Sequence, residues 1–280
     1  MISIFDFSYI NNFESISFFN LFIYSLALLS IGSFASTTIF RFSNNFSTQN
    51  ILFKRSACRN CNQKIKNLYL IPLFGYLIQG GKCFACKKSI SLFYPATEIL
   101  FLIYGLIVGF AYGFGLFNLF LLVIFFLFYT LFFLDLKFYY LPISLNVLLV
   151  LCGFVSNSFF NVFVSDIAIL FNLSSFTFAF YGFLIGYLSL WLINFIFKLI
   201  YKKDGIGGGY FILFGAIGSL FGPFSLSLIL FFGAIFGCFV FILFKKKYRN
   251  KIPLGSCLIL GSILYFLTKN FELLDNFIVI

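Results

Sequence analysis

Long apolar runs, with Glu98 as their one charged residue, dominate this sequence and limit what it can fold into. They read as eight segments, 18–40, 96–112, 116–134, 140–160, 174–197, 208–222, 225–244 and 252–268. A helix needs about 20 apolar residues to cross bilayer hydrocarbon, and no single soluble core has room for so many such segments. Only 10% of the 280 residues are Asp, Glu, Lys or Arg, against about a quarter in a soluble domain. The expected fold is an all-α polytopic membrane protein with about eight transmembrane helices. Some segments are short for a full crossing. The Gly-rich stretch 205–218 is a candidate for non-helical backbone buried among other helices.

Placement of the charges sets the expected orientation. Between positions 41 and 95 stand Arg41, Lys54, Arg55, Arg59, Lys64, Lys66, Lys82, Lys87 and Lys88, with no acid. Lys137 follows, then Lys198, Lys202 and Lys203, then Lys245, Lys246, Lys247, Arg249 and Lys251. Eight crossings put 18 of the 19 basic residues on one side and leave Lys269 on the other. Asp6, Glu14, Asp166, Glu272 and Asp275 fall opposite the basic loops. Basic loops stay in the cytoplasm, so both termini are expected outside it. The net charge of +11 thus follows membrane topology, and nucleic acid is not an expected partner. The first segment lacks a basic leader and a clear cleavage site and is expected to stay as a helix. Gly32, Ser33 and Ala35 near its far end permit close packing. The expected organisation is 1–40 as the extracytoplasmic N-terminus and first helix, 41–95 as a cytoplasmic loop, and 96–280 as a helical bundle.

Within that loop, Cys58-Arg-Asn-Cys61 and Cys83-Phe-Ala-Cys86 form two CxxC pairs. Two such pairs supply four soft ligands to a tetrahedral, structural Zn²⁺ site with no open position. A reducing cytoplasm favours metal over disulfide, and the surrounding lysines and arginines favour thiolates. Two disulfides or a redox dithiol are the other readings of the same spacing. Cys152, Cys238 and Cys257 stand singly in apolar segments and read as packing residues.

The chain has no His, which excludes a Ser-His-Asp triad, a Cys-His pair and an HExxH site. Proton chemistry must use carboxylates, Lys, Tyr or Cys. Asp135 ends the 116–134 run and is followed by Leu-Lys-Phe-Tyr-Tyr-Leu-Pro. It is either an interfacial anchor paired with Lys137 or the wall of a polar cavity. Glu98, three residues after Pro95, is either a first-turn acid or a cavity residue. Asp204 opens Asp-Gly-Ile-Gly-Gly-Gly-Tyr, ending at Tyr210. It is either a solvated acid beside Lys202 and Lys203 or part of a glycine turn where substrate meets backbone. No strand precedes this turn, so it is no dinucleotide fingerprint.

In order and spacing, these motifs resemble the prepilin leader peptidases, bifunctional membrane enzymes that process type IV pilins and type II secretion pseudopilins. The resemblance runs from Gly32-Ser33-Phe34 and Ile39-Phe40-Arg41 through both CxxC pairs, with Ile71-Pro72 between them. It continues through Gly80-Gly81-Lys82-Cys83, Ile90 to Glu98, Leu134-Asp135 and Leu141-Pro142. The glycine motif and Ile252-Pro253-Leu254-Gly255 complete it.

The resemblance implies a helical bundle with a cytoplasmic zinc loop in the bacterial inner membrane, acting as an aspartic endopeptidase. Its partners would be prepilins or pseudopilins with a basic leader and a hydrophobic helix held in lipid. Two aspartates share the family's chemistry. The first matches Asp135. The second ends a Gly-x-Gly-Asp motif whose last position here is Tyr210, and the Lys two residues further on is Ile212. Asp204 is the nearest carboxylate that could stand in. The resemblance also implies N-methylation of the new N-terminus with S-adenosylmethionine as donor, and places Glu98 near that activity. Here Ser36 and Arg59 replace the family's usual Asn and Pro. A catalytically impaired, substrate-binding relative is the alternative, and an unrelated transporter or membrane scaffold is a third.

Overall fold

The computed structural model describes residues 17–43, 55–161, 163–164, 172–243 and 252–270. Asp6, Glu14, Lys54, Asp166, Lys245, Lys246, Lys247, Arg249, Lys251, Glu272 and Asp275 lie outside the described residues. The apolar segments become the helices α1 (Phe18–Ser43), α3 (Phe93–Tyr112), α4 (Leu116–Phe138), α5 (Ile143–Phe160), α6 (Ser175–Tyr201), α7 (Gly208–Phe221), α8 (Leu226–Leu243) and α9 (Leu254–Asn270). A five-residue helix, α2 (Phe74–Ile78), and a 3-10 turn at Asn67–Leu70 lie in the cysteine loop.

Six of these helices, α1, α3, α4, α5, α6 and α8, are long and apolar enough to cross a membrane. The chain is a multi-pass membrane protein. Among the described residues the expected count of about eight is corrected to six, because α7 has 14 residues and α9 has 17 described ones, fewer than the 18 to 27 of the six that are long enough to span. In α7 the reason is visible. Ten of its residues, from Phe211 to Phe221, are buried against protein, so lipid does not set its length. The Gly-rich stretch is likewise helical from Gly208 onward, and only 202–207 is irregular.

The chain divides into two compact units, Met1–Thr130 and Leu131–Ile280. In the first, α1 packs on α3. Gly32 permits the approach: a Cβ there would stand 2.8 Å from Glu98 Cα. Phe101 is buried, and Phe125 meets both Phe101 and Tyr104 by ring contacts.

In the second unit α7 packs against α5 and α6, and α8 packs against α9. The α6–α7 crossing depends on paired glycines. A Cβ on Gly182 would collide with the Gly218 carbonyl, and one on Gly218 with the Gly182 carbonyl. Such small-residue contacts let helices in lipid approach closely. Asn157 of α5 is fully buried and donates to the carbonyls of Ser219 (2.7 Å) and Leu220 (2.9 Å). Those are orphan acceptors at the C-terminal end of α7. Gly222, at φ 83°, ends that helix where a side chain would strike the Phe178 ring.

Candidate active site and candidate metal centre

Asp135 lies near the C-terminal end of α4, before the turn at Leu141-Pro142 that starts α5. Its side chain is 0% exposed. The Tyr210 hydroxyl donates to Oδ1 at 2.8 Å, and the Ser256 N–H donates to Oδ2 at 2.6 Å. Ser256 Oγ lies 3.0 Å from Oδ2 and 2.9 Å from the Phe132 carbonyl.

Each partner has a local origin. Tyr210 stands in the first turn of α7, just after the glycine motif. Ser256 stands in the first turn of α9, where backbone N–H groups have no helical acceptor and the helix dipole favours a negative group. Gly255 makes the approach possible, since a Cβ there would sit 3.1 Å from Asp135 Cγ. The contact with Tyr210 and Ser256 describes Asp135 better than pairing with Lys137, whose Nζ lies 5.3 Å from the Phe133 ring centroid.

The structure thus brings Asp135 and Tyr210 together. Asp204 is engaged elsewhere. Its Oδ2 pairs with Lys198 Nζ at 3.1 Å, and its Oδ1 accepts from Asn194 Nδ2 at 3.2 Å. These bonds hold its carboxyl below the usual Asp range, the Lys198 bond contributing most. Among the described residues, the partners of Asp135 are hydroxyls and backbone N–H groups, with no carboxylate. Asn194 also accepts from the N–H groups of Gly205 and Ile206, both at 2.9 Å. Asn146 of α5 is fully buried and donates to the Gly209 carbonyl at 2.9 Å. These two asparagines hold the glycine turn from either side, and so place Tyr210.

Sequence reasoning missed Ser256, Asn194 and Asn146. Ser256 follows the Pro-Leu-Gly that opens α9, and a helix start of that kind offers free N–H donors. The asparagines gave a weaker signal, as polar residues inside apolar runs.

In the first unit the four sulfurs of Cys58, Cys61, Cys83 and Cys86 lie within 4.8 Å of one another. Cys58 and Cys86 are 3.8 Å apart, and Cys61 and Cys83 are 4.0 Å apart. A tetrahedral ion bound at about 2.3 Å separates its sulfurs by about 3.8 Å, so the cluster can hold a metal ion. All seven cysteines are free thiols.

The two knuckles repeat one backbone pattern. Cys58 N–H reaches the Gln63 carbonyl and Cys83 N–H the Lys88 carbonyl, both at 2.9 Å. Asn62 and Lys87, each four residues after the first Cys of its pair, adopt φ near 57°. Backbone N–H groups of Cys61 and Asn60 pull the Cys58 thiol down to about 6, while desolvation and the neighbouring sulfurs push Cys61 up to about 11, since crowded thiols resist ionising together. Arg59, between the first two cysteines, docks this knuckle on the membrane helices. Its guanidinium lies 3.7 Å from the Phe40 ring centroid and 5.0 Å from that of Tyr94.

Glu98 is buried in α3. Its Oε2 accepts the Leu73 N–H at 2.7 Å, and Ser33 also hydrogen-bonds to it. Both of its motif neighbours from the sequence, Ser33 of α1 and the 71–73 turn, therefore meet at this one carboxylate.

Comparison with known proteins identifies the family of the chain. Residues 16–112 match the model of the bacterial peptidase A24 N-terminal domain, and residues 120–242 match that of the type IV leader peptidase family. A prepilin leader peptidase/N-methyltransferase of Dichelobacter nodosus is 33% identical over 218 residues, covering 78% of this chain and 72% of that protein. Its namesake in Legionella pneumophila is 32% identical, covering 77% and 72%. The one from Vibrio cholerae is 30% identical, covering 88% and 96%. No solved structure matches the chain. Family models over both halves, with relatives 30–33% identical of which the chain covers two thirds or more, mean that the chain belongs to the prepilin leader peptidase/N-methyltransferase family.

Proposed function

We propose that this chain processes type IV prepilin or pseudopilin precursors at the bacterial inner membrane, with Asp135 as the sole catalytic carboxylate and Tyr210 in its partner's place. Peptide cleavage is consequently slow. The observation that carries this reading is the Tyr210 hydroxyl on Asp135 Oδ1 at 2.8 Å. In a two-carboxylate site, the ionised member takes a proton from water while the protonated one polarises the scissile carbonyl. Asp135, facing only donors, suits the first role. Tyr210 can fill the second only by turning its single O–H from Asp135 Oδ1 to the carbonyl, which leaves that oxygen to accept from water. Its ordinary pKa of about 10 makes it a poor proton source for the departing amine. Correct acid–base groups contribute about 10²–10⁴-fold, and that is the scale of the expected deficit.

The precursor's leader enters from the cytoplasm and its hydrophobic helix from lipid, which is the geometry a membrane-boundary aspartate serves. The basic loop at 41–95 faces the cytoplasm, and the four-cysteine cluster holds Zn²⁺ as a structural ion. N-methylation with S-adenosylmethionine needs the amine that cleavage frees, so slow cleavage limits it in turn. Asp204, bound to Lys198 and Asn194, is not a catalytic substitute in this proposal. Glu98 serves by positioning the loop.

A second reading, a substrate-binding relative without cleavage, is favoured by the same saturation of Asp135 by Tyr210 and Ser256. The test is cleavage of a pilin precursor in membranes. Slow native cutting that disappears in Asp135→Ala and falls in Tyr210→Phe supports the first reading. A native chain that binds the precursor and never cuts it supports the second.

A further inference from the structure

The cysteine loop carries an apolar surface beside its sulfur cluster. Helix α2 exposes Phe74, Leu77 (69%) and Ile78, and Leu68, Ile71 and Phe84 are exposed around it. No acid occurs anywhere between Glu14 and Glu98. Lys66 and Lys87 lie 4.6 and 5.4 Å from the Phe84 ring centroid. Lys82 and Lys87 flank a hollow shared with Tyr69, Ile78 and Phe84. Apolar and aromatic side chains beside lysines, without acids, match the chemistry of a segment lying in a bilayer interface.

The depth of this surface is set by Glu98. It lies five residues into α3 from Phe93, and helical side chains lean toward the N-terminus. Its bond to Leu73 N–H therefore falls near the first turn of α3, where a spanning helix leaves the hydrocarbon. Leu73 holds φ 59°, a backbone conformation rare for a bulky residue, and leads directly into α2. The loop is tied to spanning helices at both ends, α1 and α3, which keeps it against the same leaflet.

We propose that 71–78 is an interfacial anchor, stapled by Glu98, that inserts Phe74, Leu77 and Ile78 into an anionic lipid leaflet. Lys66, Lys82 and Lys87 meet the phosphates, whose negative surface potential attracts basic segments. A second copy of the chain or a protein substrate would cover the same apolar face by a different chemistry.

The experiment uses the full chain with Trp191→Phe, which removes the one tryptophan, and Leu77→Trp as a reporter at an exposed site. The protein is reconstituted in phosphatidylglycerol/phosphatidylcholine vesicles with bromine on the acyl chains. The proposal expects blue-shifted emission, quenched more by bromine near the headgroup than by bromine near the chain end. It also expects quenching to weaken when Lys66, Lys82 and Lys87 become Gln, and when Glu98→Ala releases the staple. Phe84→Trp is the second reporter should the first variant fail to fold. Quenching by aqueous acrylamide without quenching by bromolipid overturns the proposal. Protection from both quenchers also overturns it, and points to a protein partner.

Discussion

Asn194→Leu removes the clamp on the glycine turn while keeping side-chain volume. Asn194 Oδ1 accepts from the N–H groups of Gly205 and Ile206, and its Nδ2 donates to Asp204. The side chain is 7% exposed, so leucine fits the site but leaves two N–H donors unpaired. Each net bond is worth about 1 kcal/mol, so the turn loses about 2 kcal/mol of local stability. That corresponds to about 30-fold in the opening equilibrium. The assay is amide hydrogen exchange by mass spectrometry on the full chain in detergent, reading a peptide over 203–209. Exchange there is expected to rise about 30-fold, while 213–220, inside α7, keeps its protection. Native-like exchange in the leucine variant would refute the claim that Asn194 holds this turn.

Three further outcomes are expected, one of them from the placement of the basic residues. Purified protein should carry about one zinc per chain, and replacing Cys58 and Cys61 by Ser should abolish it and unfold the loop, because structural zinc contributes folding free energy directly. A folded, metal-free loop in the native chain would contradict this. Reporter fusions after Asn62 and after Lys203 should report cytoplasm, and one after Asp166 the opposite side; an external Asn62 would reverse the orientation. Carbon NMR of Asp204 should show a midpoint below the ordinary Asp value, rising in Lys198→Gln. Because that pKa is depressed by folding, the Lys198 contact stabilises the turn above the unfolded value and is lost as pH falls through the folded one.

Much of this was legible in the sequence, and the reasons differ by feature. Charge-free runs fix helices in lipid almost alone, because every backbone polar group must be satisfied internally. The CxxC spacing fixes a sulfur cluster because each pair must turn tightly to present two thiolates. Hydropathy could not show that α7 is enclosed by protein, since Phe211 to Phe221 are as apolar as any residues facing lipid. Ser256 was hidden for another reason: its principal donor to Asp135 is a backbone N–H, which every residue but proline carries. What exposes it is position, two residues into a helix that starts beside Asp135. The role of Asn194 rests on a contact with a turn about ten residues later, which no periodicity encodes.

The central claim is that Tyr210 occupies the place of a second catalytic carboxylate beside Asp135. Tyr210→Asp tests it most directly, with cleavage of a pilin precursor in membranes as the readout. The account predicts that cutting rises by about 10²-fold or more over the native chain. It further predicts that the added Asp135→Ala abolishes the gain. Cleavage that stays at the native level in a folded Tyr210→Asp protein, or a gain that survives loss of Asp135, would contradict it.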